Sequence, residues 1–398
     1  MKKIVLKNKK DASLRRFHPW VFSGAVDKLE GTIADGEVVE VYSKSGEYLA
    51  TGHYQNGSIC VRIFSFDKTD AEQAFWTTKL QNAYQYRQTL NLTDNPKTNC
   101  YRLVHAEGDG LPGLIIDIYD KTAVLQCHSI GMHSAREKIA LALLEMYGNR
   151  LEAIYDKSRE TLPDQYAKNL ENNYLYKKNP VPFSSSHHPI ALENGHSFSI
   201  DWEGGQKTGF FLDQRDNRQL LTHYTKNRTV LNTFCYSGGF SVYALNAGAN
   251  HVESVDVSQK AIDLTDQNVA LNGFTERHQS YAQDVIKFLQ QNEKQYDVLI
   301  VDPPAFAKNI AKRHNAVQGY KRLNALALKK IKPGGILFTF SCSQVVDRQL
   351  FYDTIVAAAI EAGRRIRVMH HLTQPADHPV SLFHPEGSYL KGLVLFVE

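Results

Sequence analysis

Asn232-Thr-Phe-Cys-Tyr-Ser-Gly-Gly-Phe240 follows the apolar run Thr229 to Asn232 and leads into a helical stretch, so it reads as a strand-to-helix turn. Gly238 and Gly239 let the backbone approach a ligand closely and start a helix whose first N–H groups are free to bind. The spacing is not G-x-G-x-x-G, which removes the phosphate-cradling turn of a dinucleotide site. An adenosine site without a pyrophosphate fits better than a nicotinamide or flavin site.

Working outward, apolar runs alternate with helical stretches at Thr229 to Asn232, His251 to Val257, Asp297 to Val301, Ile336 to Phe340, Ile366 to His370 and Leu390 to Val397. That alternation predicts βαβ units on a mostly parallel sheet, where ligands bind beyond the carboxyl ends of the strands. Asp256 ends one run and suits the ribose hydroxyls of an adenosine. Asp284 follows Gln279 to Gln283 and suits the adenine amino group, and Asp302 closes Asp297 to Val301. Each also fits a helix cap, but three independent caps after three successive strands are a poorer account. Upstream, Gly204-Gly-Gln-Lys-Thr-Gly-Phe-Phe-Leu-Asp-Gln-Arg215 reads as a loop over the cofactor mouth or a domain-packing segment. The candidate cofactor residues are therefore Gln206, Thr208, Arg215, Phe234, Tyr236, Ser237, Gly238, Asp256, Val257, Asp284 and Asp302.

Two segments carry the candidate chemistry. In Asp302-Pro-Pro-Ala-Phe306 the prolines fix the backbone after a strand and aim the Asp carboxylate into the pocket, although the motif also serves as a plain strand stop. In Phe340-Ser-Cys-Ser343 a thiol sits at the same rim, ahead of a helix from about Asp347. Buried inert cysteines are common. A strand's carboxyl edge near a helix N-terminus is, however, where a thiolate is favoured and reachable, which makes Cys342 a candidate nucleophile beside Asp302.

The N-terminal half has a different pattern. Short β-segments at Val38 to Tyr42, Tyr48 to His53 and Ser58 to Phe64, separated by Gly and Asp turns, predict a small β-barrel. An amphipathic helix follows over Asp70 to Leu90, then strands at Gly113 to Ile118 and Ala123 to His128 and a helix over His133 to Tyr147. The stretch Lys177 to Pro189, rich in Pro, Ser and His, marks the main boundary, giving expected domains of 1–68, 69–186 and 187–398. Met1 to Arg16 holds seven Lys or Arg against one Asp, a local excess that suits phosphates or a solvated terminus. No run approaches the roughly 18 apolar residues of a membrane span, and the charged N-terminus is unlike a secretory signal, so no membrane association and a cytoplasmic location are expected. Five scattered cysteines without a C-x-x-C pair suggest reduced thiols, no disulfide framework and no metal site.

Together these motifs resemble the bacterial ribosomal RNA 5-methylcytosine methyltransferases that combine an N-terminal PUA domain, a central α/β domain and a class I methyltransferase domain. The likeness spans essentially the whole chain. It rests on Arg16 to Gly24, Glu107 to Gly113, Gly205 to Arg218, Asn232 to Phe240, Asp302 to Phe306, Ser341 to Ser343, Ala376 to Pro379 and Tyr389 to Gly392. The resemblance implies an α/β fold with a C-terminal Rossmann-like methyltransferase sheet, a PUA-like β-barrel and a central α+β domain. It implies S-adenosyl-L-methionine as cofactor, with Asp256, Asp284 and Asp302 at its site, and Cys342 as the nucleophile. It also implies RNA binding, with large-subunit ribosomal RNA as partner and Arg15, Arg16, His18 and Trp20 as contacts. A homodimer stays open.

Many RNA 5-methylcytosine enzymes carry a second cysteine after the Asp-Pro-Pro motif, where this chain has Ala305 and Phe306; the single-cysteine subgroup shares that absence. The other readings are methylation of an exocyclic amine or ring nitrogen, a non-catalytic RNA-binding assembly factor, and a nucleotide-dependent oxidoreductase.

Overall fold

Alternation of apolar and polar residues builds the N-terminal sheet. Val39 and Val41 of strand Val38–Tyr42 turn inward to meet Ile4, Leu6, Val21, Ala50, Val61 and Ile63, a core formed within the first 66 residues. The computed structural model describes residues 1–178, 189–307 and 309–398. The Pro-, Ser- and His-rich boundary stretch falls almost wholly outside the described residues. Two compact units result: Met1–Ala191 with Ile200–Leu212 and Ala376–Gly387, and Leu192–Ser199 with Asp213–Pro375 and Ser388–Glu398.

In the first unit, six strands lie in the spatial order Trp20–Phe22, Ile59–Ser65, Tyr48–Tyr54, Val38–Tyr42, Lys2–Leu6, Val26–Leu29. Lys2–Leu6 and Val38–Tyr42 pair in parallel, the other neighbours antiparallel. Gly52 is required at the Tyr48–Tyr54 crossing, because a Cβ there would lie 2.4 Å from the Arg62 carbonyl oxygen. A second sheet of five strands runs Asn173–Lys177, Ala153–Asp156, Thr122–Cys127, Leu114–Tyr119, Cys100–His105, and helices Gln73–Thr89 and Arg136–Tyr147 share its core. The first of these helices starts three residues later than the pattern predicts. Ala71 adopts φ 52°, so regular helix begins only after Glu72. Trp76, Leu80 and Tyr84 form its buried stripe, with Phe75 only half-buried.

Arg87 is fully buried in this unit and forms a bidentate pair with Asp109. Its guanidinium also donates to the carbonyls of Arg102 at 2.7 Å and Asp377 at 2.8 Å, while Asp377 Oδ2 accepts the Arg102 N–H at 3.0 Å. One cation therefore ties the segment Ala376–Gly387 to the helix and the sheet edge.

The second unit is a seven-stranded sheet in the order His278–Ala282, His251–Asp256, Thr229–Thr233, Tyr296–Val301, Ile331–Ser341, Lys391–Val397, Ile366–Leu372. Counted along the chain, that is 3-2-1-4-5-7-6. The first five strands are parallel, and Lys391–Val397 runs antiparallel to both neighbours. Helices Gly239–Asn246, Gln259–Leu271, Val285–Gln291, Arg313–Lys329 and Arg348–Ala362 make the crossovers and the return to Ile366–Leu372. Leu231, Val255, Leu299, Val301, Leu337, Tyr320 and Phe351 fill the core between layers. Among the described residues, no helix is long and apolar enough to cross a membrane.

Removing the Arg87 side chain leaves Asp109 with only the His105 N–H and strips two carbonyls of their guanidinium donor, a loss of about 3–5 kcal/mol for a broken buried pair. We expect Arg87→Ala to lower the urea midpoint strongly with the slope unchanged. A midpoint equal to the wild type would show that the pair does not hold this unit together.

Candidate active site

Asp256 ends strand His251–Asp256, and its carboxylate accepts two backbone N–H groups, from Tyr236 at 3.1 Å and Ser258 at 3.0 Å. These bonds anchor the turn after Thr229–Thr233. Within it Phe234, Tyr236 and Gly238 all have positive φ, at 56°, 47° and 73°. Two aromatic residues in left-handed conformation carry strain that the surroundings must hold, a pattern found at ligand sites. Gly238 admits no side chain, since its Cβ would lie 2.7 Å from Thr265 Cγ2. Ser237 is buried, and its carbonyl accepts from Asn268 Nδ2 at 2.8 Å. Val257 leaves an apolar side chain 73% exposed beside the Asp256 carboxylate. Asp284 is exposed and caps helix Val285–Gln291 with one oxygen, accepting Lys287 N–H at 2.9 Å; capping and ligand binding use separate lone pairs.

Asp302 follows Tyr296–Val301, the strand on the other side of Thr229–Thr233. Gln214 Nε2 donates to Asp302 Oδ2 at 3.0 Å, and Asn217 Nδ2 fixes the same amide by donating to Gln214 Oε1 at 2.6 Å. Burial, followed by the nearby Asp213 carboxylate, pushes Asp302 up to about 7 despite the opposing pull of Gln214 and Arg218. Asp213 accepts the Tyr389 hydroxyl on Oδ2 at 2.6 Å, while its buried Oδ1 has no partner among the described residues. Arg215 and Arg218 are buried against Glu193: Arg218 makes two bonds of 2.8 Å, and Arg215 Nε lies 3.5 Å away.

Of the five cysteines, Cys60, Cys100, Cys127 and Cys235 are buried and only Cys342 is half-exposed. Burial pushes the Cys60 thiol up to about 11 and raises Cys127 and Cys235 further, leaving them inert. Cys342 follows strand Ile331–Ser341 on a braced loop. Ser343 Oγ donates to the Ala307 carbonyl at 2.8 Å, and Lys391 Nζ donates to the Ser343 and Val346 carbonyls, both at 2.6 Å. Lys391 is buried, which pulls its ammonium down to about 8 against the opposing influence of Cys342. Lys391, Gln214 and Asp213 lie within stretches that the sequence marks, but no motif assigns them a role. The readable signal for Lys391 was a lone cation opening an otherwise apolar strand.

The remaining predicted residues lie in the first unit. Thr208 is buried, and its hydroxyl donates to Asp117 Oδ2 at 2.6 Å, whereas Gln206 is exposed. Arg15 is paired with Asp11 at 2.7 Å and Glu47 at 2.5 Å, and Arg16 is exposed. Trp20 donates its indole N–H to Glu107 at 2.9 Å, and its ring lies 4.3 Å from that of His384. His18 lies 3.7 Å from Glu386.

Comparison with known proteins matches this geometry. Residues 4–66 match the PUA-like domain, and residues 185–387 the S-adenosylmethionine-dependent methyltransferase family. The chain is 40% identical over 397 residues to ribosomal RNA large subunit methyltransferase I of Alteromonas mediterranea, covering 98% of each. It is 39% identical over 400 residues to the protein of that name from Aeromonas hydrophila, again covering 98% of each. A solved SAM-dependent methyltransferase from Streptococcus mutans shares the fold across 100% of both chains, with a TM-score of 0.83 at 23% identity. A solved methyltransferase complexed with SAH does so with a TM-score of 0.84, also at 23% identity and covering 100% of both. The sheet order, the strained turn at Asp256 and these matches together place the chain in the S-adenosylmethionine-dependent methyltransferase family, in the group that carries an N-terminal PUA-like domain.

Proposed function

We propose that the chain forms 5-methylcytosine in large-subunit (23S) ribosomal RNA through a Cys342 adduct. The observation that carries this reading is the placement of Cys342, the one cysteine that is not buried, at the carboxyl end of the strand beside the one that ends at Asp302. The names of the curated relatives supply the ribosomal RNA, and a cytoplasmic location goes with that substrate. Residues 1–68 serve as the RNA-binding domain, 69–186 as the central domain and 187–398 as the catalytic one.

The residues present fit an adenosine cofactor. Asp256 is held to face the ribose, Val257 offers an apolar surface to adenine, and Gly238 supplies the left-handed backbone that the turn requires. Phe234, Tyr236 and Ser237 shape the turn, Asp284 keeps an oxygen for the adenine amino group, and Arg215 completes the set. S-Adenosylmethionine, when bound, supplies an electrophilic methyl group on a sulfonium.

Carbon 5 of cytosine is too weak a nucleophile unaided. The Cys342 thiolate adds to carbon 6, forming an S–C bond and moving the carbon 5–carbon 6 π pair to carbon 5, which is then nucleophilic. Asp302, neutral below about 7, donates a hydrogen bond to ring nitrogen 3 and steadies the charge that builds up there. With S-adenosylmethionine bound, carbon 5 would take its methyl group, the former S–CH3 pair staying on S-adenosylhomocysteine; a base then removes the carbon 5 proton, the C–H pair re-forms the carbon 5–carbon 6 double bond, and the S–C pair leaves with Cys342. RNA is gripped at Arg15, Arg16, His18 and Trp20.

Three outcomes test the reading. Cys342→Ala should bind S-adenosylhomocysteine normally by calorimetry yet make no 5-methylcytosine, and RNA bearing 5-fluorocytosine should trap the wild type in a covalent band on denaturing gels. Full activity in that variant would instead favour methylation of an amine or ring nitrogen.

Asp302 has a raised value in the folded state, so folding favours its protonated form. That stabilisation is complete below its unfolded value near 4 and is lost as pH rises through about 7. Asp302→Asn should therefore melt above the wild type at pH about 8, with the gap closing as pH falls toward about 4. A pH-independent gap would contradict the assignment.

Arg15 already carries two carboxylate partners, so Arg16→Ala should weaken RNA binding more than Arg15→Ala, and should lower the slope of log K against log salt by about 0.7–0.9. Equal effects in filter binding would remove Arg16 from the phosphate contacts.

A further inference from the structure

We infer that His18, His384 and Glu386 form a binding site for a divalent transition metal, with Zn²⁺ the best match. The three residues come from opposite ends of the chain but belong to one compact unit. One ligand atom from each lies within 4.8 Å of the others. His18 Nε2 is 3.7 Å from Glu386 Oε1, and His384 Nε2 is 3.8 Å from Glu386 Oε2. These separations are too long for hydrogen bonds. They are close to the spacing of about 3.4 Å between donors sharing one tetrahedral ion at bond lengths near 2.1 Å.

His384 supplies an independent reason. It is 3% exposed, and neither ring nitrogen has a hydrogen-bond partner among the described residues. A buried imidazole with both nitrogens unmet is unfavourable, and such a group calls for an unseen partner. Its backbone is held firmly: His384 N–H donates to the Ser381 carbonyl at 2.9 Å, and Gly387 N–H to the His384 carbonyl at 3.2 Å. The Trp20 ring lies 4.3 Å away at 66°, and its indole N–H is engaged by Glu107, so this wall limits rotation of the imidazole.

The outer contacts of His18 suit the same role. Trp20 N–H donates to its Nδ1 at 3.2 Å, and the Trp20 carbonyl lies 3.4 Å from the same nitrogen. A metal on Nε2 would move the ring proton to Nδ1, which then donates to that carbonyl in place of accepting from the N–H, the usual support for a ligating histidine. Two imidazoles and one carboxylate suit Zn²⁺, Ni²⁺ or Co²⁺ and are the wrong donors for Mg²⁺ or Ca²⁺, which take oxygen. Glu386 is half-exposed, so a fourth position opens to solvent. The expectation of no metal rested on cysteine spacing, and histidines this far apart in the chain form no motif. A bound ion would staple the Ala376–Gly387 segment to the loop before strand Trp20–Phe22. This inference does not depend on the RNA substrate or on Cys342.

The test is Zn²⁺ titration of the full-length protein after chelator treatment, followed by calorimetry, with S-adenosylhomocysteine titrated in parallel. We expect one equivalent to bind with a Kd on the order of 1 µM. His384→Phe and Glu386→Gln should each weaken Zn²⁺ binding by about tenfold or more and leave the S-adenosylhomocysteine affinity unchanged. Glu386 is half-exposed, so its variant serves even if His384→Phe fails to fold. Co²⁺ should give visible d–d absorption that Zn²⁺ displaces in the wild type and that is absent in Glu386→Gln. No saturable uptake at about 100 µM Zn²⁺ would overturn the site, as would binding unaltered by Glu386→Gln.

Discussion

Parallel pairing is the constraint on which the second unit depends. A parallel strand cannot return through a tight turn, so each crossover runs outside the sheet and successive strands end at the same edge. Thr233, Asp256, Ala282, Val301 and Ser341 are therefore brought to one rim by topology alone. The winding reverses at Thr229–Thr233: the chain steps outward to His251–Asp256 on one side and to Tyr296–Val301 on the other. A crevice opens where the crossovers diverge. Asp256 and Asp302 end up on either side of that point, and the strained turn Phe234 to Gly238 leaves the strand between them. The antiparallel last strand completes the arrangement. Its register pairs Lys391 with Ser341, so a residue that begins one strand meets the residue that ends another.

The parts of this that were readable follow from burial. Strands covered on both faces must be apolar for most of their length, and Asp297 to Val301 or Leu390 to Val397 are legible for that reason. His278–Ala282 was recognised only as the segment before Asp284. It is the sheet edge, and its residues His278, Gln279, Ser280 and Tyr281 need not be hydrophobic. The positions of Asp256, Asp302 and Cys342 at the rim were legible because Asp256 ends its strand and the other two directly follow theirs. Lys391 and Gln214 were not, because their importance lies in partners distant in sequence: Lys391 clamps carbonyls at Ser343 and Val346, and Gln214 holds Asp302. No periodicity reports such bonds.

The basic N-terminus shows the converse limit. A count of charges treats every Lys and Arg alike, yet Lys2 is paired with Glu37 at 2.8 Å and Arg15 with Asp11 and Glu47. Exposed pairs of this kind are weak and yield readily to a phosphate. Their effect is to lower the free positive charge of the surface while leaving Arg16 available. Trp20, an obvious aromatic contact in the sequence, has its N–H committed to Glu107 and offers only its ring.

Burial acts on Asp302 and Lys391 in opposite senses. It raises the carboxyl to about 7 and lowers the ammonium to about 8, so the carboxyl loses its charge just below neutral pH and the lysine just above it. Desolvation disfavours charge of either sign, and this rim of the sheet is poorly solvated. A thiolate formed at Cys342 enters that environment as a third charge. Its field draws Lys391 back toward the ammonium form, and the interaction is mutual, so the ammonium favours the thiolate by the same amount. Lys391 also holds the loop on which Cys342 sits, through the Ser343 and Val346 carbonyls. Protonation of one buried lysine thus couples the position of the Cys342 thiol, the proposed nucleophile, to the charge beside it: the bonds that fix the loop are strongest when the lysine is an ammonium.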